Sequence, residues 1–162
     1  GYGEMSIEVV RNYFRGYGME NRILEFDTSS ATVELAAQAV GCEPARIAKT
    51  LSFKVEDAPI LIVAAGDAKV DNTKYKAKFH KKAQMLKGDE VTELIGHAIG
   101  GVCPFGVPES VTVYLDESLR RFDTVFPAAG SANSAIELSM EELEKYSHAK
   151  EWIDVCKGWQ EA

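Results

Sequence analysis

One lysine stands in an otherwise apolar stretch, and its ammonium group is the first candidate for chemistry. In residues 45–53, Lys49, Leu51 and Phe53 stand at every second position. This spacing predicts a β-strand with these three side chains on one face. A charge on an apolar face is costly unless it is paired or used. Two interpretations stay open. Either the stem is buried with the head in water, or a cleft holds the ammonium to meet an anionic or carbonyl oxygen.

A glycine-rich segment, residues 96–106, is the second candidate. It contains four glycines and one proline among apolar residues, which suggests backbone exposed for close approach to a ligand. The same segment carries His97 and Cys103, which could serve as base and nucleophile of a cysteine hydrolase. The simpler interpretation is a structural histidine and a small buried cysteine.

The third candidate is a basic segment, residues 69–87, which holds seven lysines against Asp71 alone, although the whole chain has a net charge of -7. Such a segment could bind phosphates. It could equally be a solvated lysine-rich helix. The net negative charge argues against a protein that coats nucleic acid in general, and nothing indicates a DNA partner.

Alternating strand and helix patterns must position these candidates. A helix is predicted from Ser6, as its N-cap, to about Tyr17, with Ile7, Val10 and Phe14 on one face. The nearly all-apolar run 59–65 predicts a central strand. Further strands are predicted at 22–26, 111–115, 124–128 and 135–138, and further helices at 31–40, 71–79, 89–95 and 139–146. About six or seven strands interleaved with four or five helices indicate an α+β fold with a mixed sheet.

The chain reads as one domain over residues 5–162, because 162 residues can bury one sizeable core. Residues 1–4, before Met5, are interpreted as an expression remnant. No apolar run is long enough to cross a membrane and no signal peptide is visible, so the cytoplasm is the expected location. Cys42, Cys103 and Cys156 are too far apart for metal-ligand spacing, and no metal or cofactor is expected.

An ordered set of motifs resembles one known family. Arg46–Leu51, Gly66–Lys74 and Gly100–Gly106 follow one another as in the YbaK/prolyl-tRNA synthetase-associated editing domain family, and the resemblance spans roughly residues 6 to 146. It implies a partly barrel-like mixed sheet surrounded by helices. It also implies hydrolysis of aminoacyl-tRNAs that carry the wrong amino acid. A single-domain chain of this kind would be a free-standing, trans-editing deacylase.

The resemblance also implies roles for individual residues. The family's strand lysine is similar to Lys49, and its Gly-x-x-x-Pro loop is similar to Gly100–Pro104, so Lys49, Gly100 and Gly101 are the implied catalytic positions. Contacts to the aminoacyl group are implied for Phe26, Thr32, Val33, Val102, Cys103, Pro104, Gly130 and Ser131. Contacts to tRNA are expected from Lys69, Lys74 and Lys78. Val33 stands where some relatives place an aromatic residue, which leaves the amino-acid specificity open.

The implied reaction is cleavage of the aminoacyl ester at the tRNA 3′ end. The implied partner is mischarged aminoacyl-tRNA, and an aminoacyl-tRNA synthetase is a further candidate partner. An activated ester needs positioning and charge stabilisation more than a metal. Glycine peptide groups could hold the carbonyl and α-ammonium, and Lys49 could neutralise the oxyanion or the terminal phosphate. Water could be activated by the protein or by the ribose hydroxyl. A non-catalytic module that binds an amino acid or a tRNA end is the alternative.

Overall fold

The computed structural model describes residues 2–160, with side chains from Ser6 onward. Its helices are α1 (Tyr2–Arg15), α2 (Val33–Val40), α3 (Asn72–Phe79), α4 (Gly88–Glu90, continued as a π-helical turn over Val91–Ile95) and α5 (Met140–Ser147). Its strands are β1 (Ile23–Glu25), β2 (Ile47–Val55), β3 (Ala58–Ala65), β4 (Lys69–Val70), β5 (Thr112–Asp116), β6 (Thr124–Pro127), β7 (Ser134–Ile136), β8 (Leu138–Ser139), β9 (Glu151–Ile153) and β10 (Cys156–Lys157).

The main sheet is a curled, six-stranded half-barrel in the order β8-β6-β2-β3-β5-β9. β2 and β3 form an antiparallel hairpin that pairs Lys49 with Ala64, while β3–β5, β5–β9 and β2–β6 are parallel. The hairpin turns through Glu56 and Asp57, both with positive φ, as the right-handed strand twist favours. Two short antiparallel ladders, β1–β7 and β4–β10, flank it. The predicted α+β fold with a mixed, partly barrel-like sheet is confirmed.

The core lies on both faces of β3, which is buried from Pro59 to Ala65, so the prediction of a central strand is confirmed. The predicted apolar face of α1 is also buried through Ile7, Val10 and Phe14. Phe14 meets Phe105 edge-on at 4.9 Å between ring centroids, which ties α1 to the glycine-rich segment. α1 therefore closes the side of the half-barrel on which that segment lies.

Local cap signals were correct at two helices and wrong at another. Ser139 and Glu142 form the predicted capping box at the start of α5, with hydrogen bonds of 3.1 and 3.0 Å. Asp71 caps α3 as predicted. Ser6 is not an N-cap, because α1 already begins at Tyr2 and Ser6 lies inside it, buried. Over residues 2–160, no helix has both the length and the apolar character needed to span a membrane.

Candidate active site

A cavity of about 520 Å³ opens where β2 and β6 separate. The two strands pair only at Ile47 and Ala48. Farther along, the same edge of β2 bonds to the segment 84–86: Leu86 N–H donates to Ser52 C=O at 3.1 Å and Lys54 N–H to Gln84 C=O at 2.9 Å. The gap between these two pairings is the floor of the cavity.

Thr50 sits in this gap. Residues two apart in an antiparallel strand present their peptide groups to the same side. Because Ser52 and Lys54 bond away from β3, Thr50 must also point its N–H and C=O away from β3, and no strand of the described chain pairs with it there. The cavity floor therefore offers one backbone donor and one backbone acceptor to a ligand.

The cavity walls are mainly apolar. Val33 and Ala36 of α2 lie on one side with Phe126 of β6, and Leu86 and Val91 lie on the other. Ile99 and Met85 also line the cavity and are 67% and 58% exposed, which places them at its open mouth. Among the described lining residues, Lys49 carries the single charged side chain.

Lys49 is partly buried at the cavity floor, and its ammonium group is held by a turn. Nζ donates to the carbonyl of Ala68 and, at 3.4 Å, to that of Gly66. Burial lowers the Lys49 pKa, while the neighbouring Cys156 and Asp67 oppose that shift. An ammonium has three donors, so two fixed carbonyls leave one N–H for a ligand. Both acceptors belong to the protein itself, so contact between the Lys49 ammonium and a ligand stays a prediction.

Gly100 and Gly101, the two glycines expected in catalysis, differ in their relation to the cavity. Gly100 lines the cavity with φ +91°, a conformation that favours glycine, and a Cβ there would lie 3.3 Å from Ala132. Gly101 does not line it. A Cβ on Gly101 would lie 2.4 Å from the Ser131 nitrogen, so its small size lets the two loops pack backbone against backbone.

The other residues expected at the aminoacyl group divide into two sets. Thr32, Val33 and Val102 line the cavity, and Thr32 also caps α2 by accepting from Leu35 N–H at 3.2 Å. The second set is not among the lining residues; it consists of Phe26, Cys103, Pro104, Gly130 and Ser131. Ser131, for example, directs its hydroxyl to Asn133 and Ser134.

Cys103 and His97 belong to a buried network that stabilises the glycine-rich segment. His97 Nε2 lies 2.8 Å from the Phe105 carbonyl and Nδ1 lies 2.7 Å from the Ser6 hydroxyl. This geometry assigns the proton to Nε2, with Ser6 donating to Nδ1. Burial lowers the His97 pKa and raises that of the Cys103 thiol to about 12. Cys103 is fully buried, so a cysteine hydrolase built on it has neither a thiolate nor access to substrate.

Two unpartnered hydroxyls beside the cavity were not anticipated from the sequence. Ser30 Oγ and Thr50 Oγ1 are buried and have no hydrogen-bond partner among the described residues, although both residues line the cavity. An unpaired buried hydroxyl costs free energy, and such groups gather at functional sites. No local sequence signal marks Ser30 or Thr50, because their isolation results from the separation of β2 and β6.

The predicted tRNA-binding lysines are engaged differently from one another. Lys74 Nζ bonds to Asp154 and to the Cys156 carbonyl, both at 3.0 Å, and Lys78 pairs with Glu151 at 2.7 Å. Lys69 is exposed in β4, with no ion-pair partner in the described chain. The acidic residues of the C-terminal segment thus neutralise two of the three.

A second groove, of about 670 Å³, holds two lysines that the sequence did not single out. Lys76 and Lys82 line it together with Asn72, Thr73, Ala77 and Ala83, so no carboxylate is among its lining residues. Neither lysine has an ion-pair partner within residues 6–160. Ala83 belongs to this groove and Met85 to the first cavity, and two residues span at most about 7 Å. The groove and the cavity are therefore neighbours.

Fold and site together define an α+β half-barrel protein with an apolar cavity at a strand edge, lined by one lysine and by part of the glycine-rich segment. The model of the aminoacyl-tRNA editing domain matches residues 27–146. The chain belongs to this family, as the sequence motifs indicated.

Individual relatives and one solved structure are similar over most of the chain. The chain is 58% identical over 157 residues to the uncharacterized protein YwhH of Bacillus subtilis, covering 96% of this chain and 100% of that one. It is 28% identical over 125 residues to the proline–tRNA ligase of Thermosipho melanesiensis, which is 76% of this chain but 22% of the ligase. A crystal structure of a protein proposed as a trans-editing enzyme for prolyl tRNA synthetase superimposes with a TM-score of 0.84, at 30% identity, covering 94% of this chain and 98% of that one.

Proposed function

We propose that this protein is a trans-editing hydrolase that deacylates mischarged aminoacyl-tRNA by cleaving the aminoacyl ester at the tRNA 3′ end. The observation that carries the proposal is the position of Lys49, whose ammonium is fixed by two carbonyls at the floor of an apolar cavity. The family match and the near-complete overlap with the trans-editing candidate support it. The reaction would take place where tRNAs are charged, in the cytoplasm.

The chain's own groups suit an ester whose carbonyl lies between Lys49 and the backbone of Gly100. The oxygen of a water molecule attacks the carbonyl carbon, and the negative charge that develops on the carbonyl oxygen meets the free N–H of Lys49. The bond from that carbon to the ribose oxygen then breaks, and the ribose oxygen takes a proton.

The α-ammonium of the aminoacyl group needs acceptors that are not carboxylates, because the described cavity lining contains none. The Thr50 carbonyl at the strand edge is an available acceptor, and its N–H is an available donor. Backbone groups bind an amino acid by its common atoms and do not distinguish side chains. The apolar wall of Val33, Ala36 and Phe126 then selects by size and polarity.

The lysine groove fits the next part of the same substrate. Lys76 and Lys82 form no ion pair with the side chains of residues 6–160 and lie beside the cavity, so they can meet backbone phosphates of the single-stranded 3′ end while the ester occupies the cavity. Lys69 is also available. Lys74 and Lys78 are not proposed as principal contacts, because each is already paired with a carboxylate.

The test is a panel of tRNAs charged with non-cognate amino acids, including tRNAPro, incubated with the purified protein and scored for free amino acid. At least one mischarged tRNA should be deacylated well above its spontaneous rate, and correctly charged tRNA should be spared. Lys49→Ala serves as the matched control. Tight binding of aminoacyl-tRNA without turnover would instead identify a binding module, and no binding at all would overturn the proposal.

A further inference from the structure

The turn that accepts the Lys49 hydrogen bonds is itself anchored by a neighbouring segment of the chain. This turn, Ala65–Ala68, follows β3, closes with a 3.0 Å bond from Ala68 N–H to Ala65 C=O, and supplies the two carbonyls that accept from Lys49 Nζ. Asp67 stands between those two carbonyl-bearing residues. Any movement of Asp67 would therefore move the acceptors that fix the Lys49 ammonium.

Arg121 donates two parallel hydrogen bonds to the Asp67 carboxylate. Its Nη2 donates to Oδ1 at 2.6 Å and its Nη1 to Oδ2 at 3.0 Å, the paired geometry that only a guanidinium gives to a carboxylate. The arginine side chain is 25% exposed and that of Asp67 33%, so the pair is partly shielded from water. This ion pair is the main reason why the Asp67 pKa lies below its usual value.

Arg121 is in turn locked in place. Its Nε donates to the Ser118 carbonyl at 2.9 Å, and its guanidinium lies 4.8 Å from the ring centre of Phe122 and 5.2 Å from that of Trp159. Ser118 also anchors the start of the turn, because its buried hydroxyl accepts from Ala65 N–H at 3.1 Å. One short helical segment, residues 117–121, thus holds the turn at two points, Ala65 and Asp67.

From this chain of contacts we infer that Arg121 and Asp67 are positioning residues for Lys49, although neither lines the cavity. They fix the carbonyls that orient the ammonium, and the Asp67 carboxylate adds negative charge behind it. The effect that Arg121 and Asp67 should have on catalysis rests on the proposed function. The effect that they should have on the Lys49 ammonium does not depend on any substrate.

The charges around Lys49 predict the direction of that effect. The carboxylates of Asp67 and Glu34 favour the charged ammonium, whereas burial and Lys69 disfavour it. Removing the Asp67 charge should therefore lower the Lys49 pKa further. A purely structural role for the Arg121–Asp67 pair would leave that pKa unchanged.

The experiment compares Asp67→Asn, Arg121→Met and Arg121→Lys with Arg120→Met as the matched control. Arg120 lies in the same segment but pairs with Glu117 and stacks on Trp152, away from the turn. The Lys49 pKa is followed by NMR of the lysine side chains, assigned through Lys49→Arg, and deacylation is measured at saturating substrate. Melting curves confirm that each variant is folded.

We expect a lower Lys49 pKa in Asp67→Asn and a roughly tenfold fall in kcat in Asp67→Asn and Arg121→Met, with KM within about twofold. Arg121→Lys should recover part of the loss, and Arg120→Met should match the native protein. An unchanged Lys49 pKa in Asp67→Asn would overturn the inference, even if the native protein deacylates no tRNA. An equal loss of kcat in Arg120→Met would overturn it as well.

Discussion

Lys49 and Thr50 are neighbours in β2 whose side chains leave the strand on opposite faces, yet both residues line one cavity. This is possible because the cavity straddles a strand edge instead of lying on one face of the sheet. Under the proposed function, a substrate in the gap would meet the Lys49 ammonium, Gly100 and the Thr50 peptide groups. The strand edge is therefore the organising feature of the site.

Thr50→Val should stabilise the protein. The change replaces a buried hydroxyl that has no partner with a methyl group of similar shape, which removes a desolvation cost of about 1 kcal/mol. For a domain of this size, that corresponds to a rise in melting temperature of about 2–4 °C. Thermal unfolding measures it directly.

Thr124→Val is the matched control, because the Thr124 hydroxyl is bonded to Arg46 and to Glu137. It should lower the melting temperature by a comparable amount. A fall in both variants would show that the Thr50 hydroxyl has a partner in solution.

The Lys76→Ala/Lys82→Ala double variant should weaken the salt dependence of tRNA binding. Two lost phosphate contacts on a single strand should reduce the slope of log K against log salt by about 1.4. Lys74→Ala/Lys78→Ala is the matched double variant, and we expect its slope to change by less than half as much, because carboxylates already neutralise those lysines. Fluorescence anisotropy over a salt series distinguishes the two. A larger change of slope in Lys74→Ala/Lys78→Ala would instead identify Lys74 and Lys78 as the tRNA contacts.

Much of this site follows from local sequence, and the rest depends on long-range pairing. Period-two alternation located Lys49 on β2, and the apolar run located β3, because both patterns are local. The strand edge at Thr50 is open because β6 separates from β2 after Ala48. The sequence close to Thr50 contains no sign of this long-range separation. Ser6 illustrates the same limit. Its type suggested a helix cap, but its hydroxyl bonds to His97, 91 residues away.

Cys103→Ala should retain deacylation within about threefold of the native rate, because the thiol is buried and its pKa is raised to about 12. An alkylating reagent at pH 7.5 should modify the partly exposed Cys42 before Cys103. Peptide mass spectrometry after timed alkylation measures this order. Rapid alkylation of Cys103 that abolishes turnover would revive the cysteine-hydrolase alternative.

The Arg22–Glu142 pair should make stability depend on pH at the acid end. The hydrogen bonds from Arg22 hold the Glu142 pKa at about 2 in the folded protein, below its value in the unfolded chain. Its contribution is therefore fully present above about pH 5 and is lost as pH falls toward 2. The melting-temperature gap between the native protein and Glu142→Gln should be largest near pH 6 and should shrink on acidification. Glu141→Gln, at the exposed neighbouring position, should show no such trend.

Lys49→Ala should remove the charge that meets the developing oxyanion. Loss of one such donor costs on the order of 10² to 10³ in rate, and the cost should fall on kcat because most of the tRNA surface binds elsewhere. Lys49→Arg should recover little, since a planar, longer fork does not fit between the Gly66 and Ala68 carbonyls. Melting temperatures should change little in Lys49→Met, which keeps the stem and removes the buried charge. Single-turnover deacylation on the three variants measures the effect, and native rates in Lys49→Ala would exclude a catalytic role for Lys49.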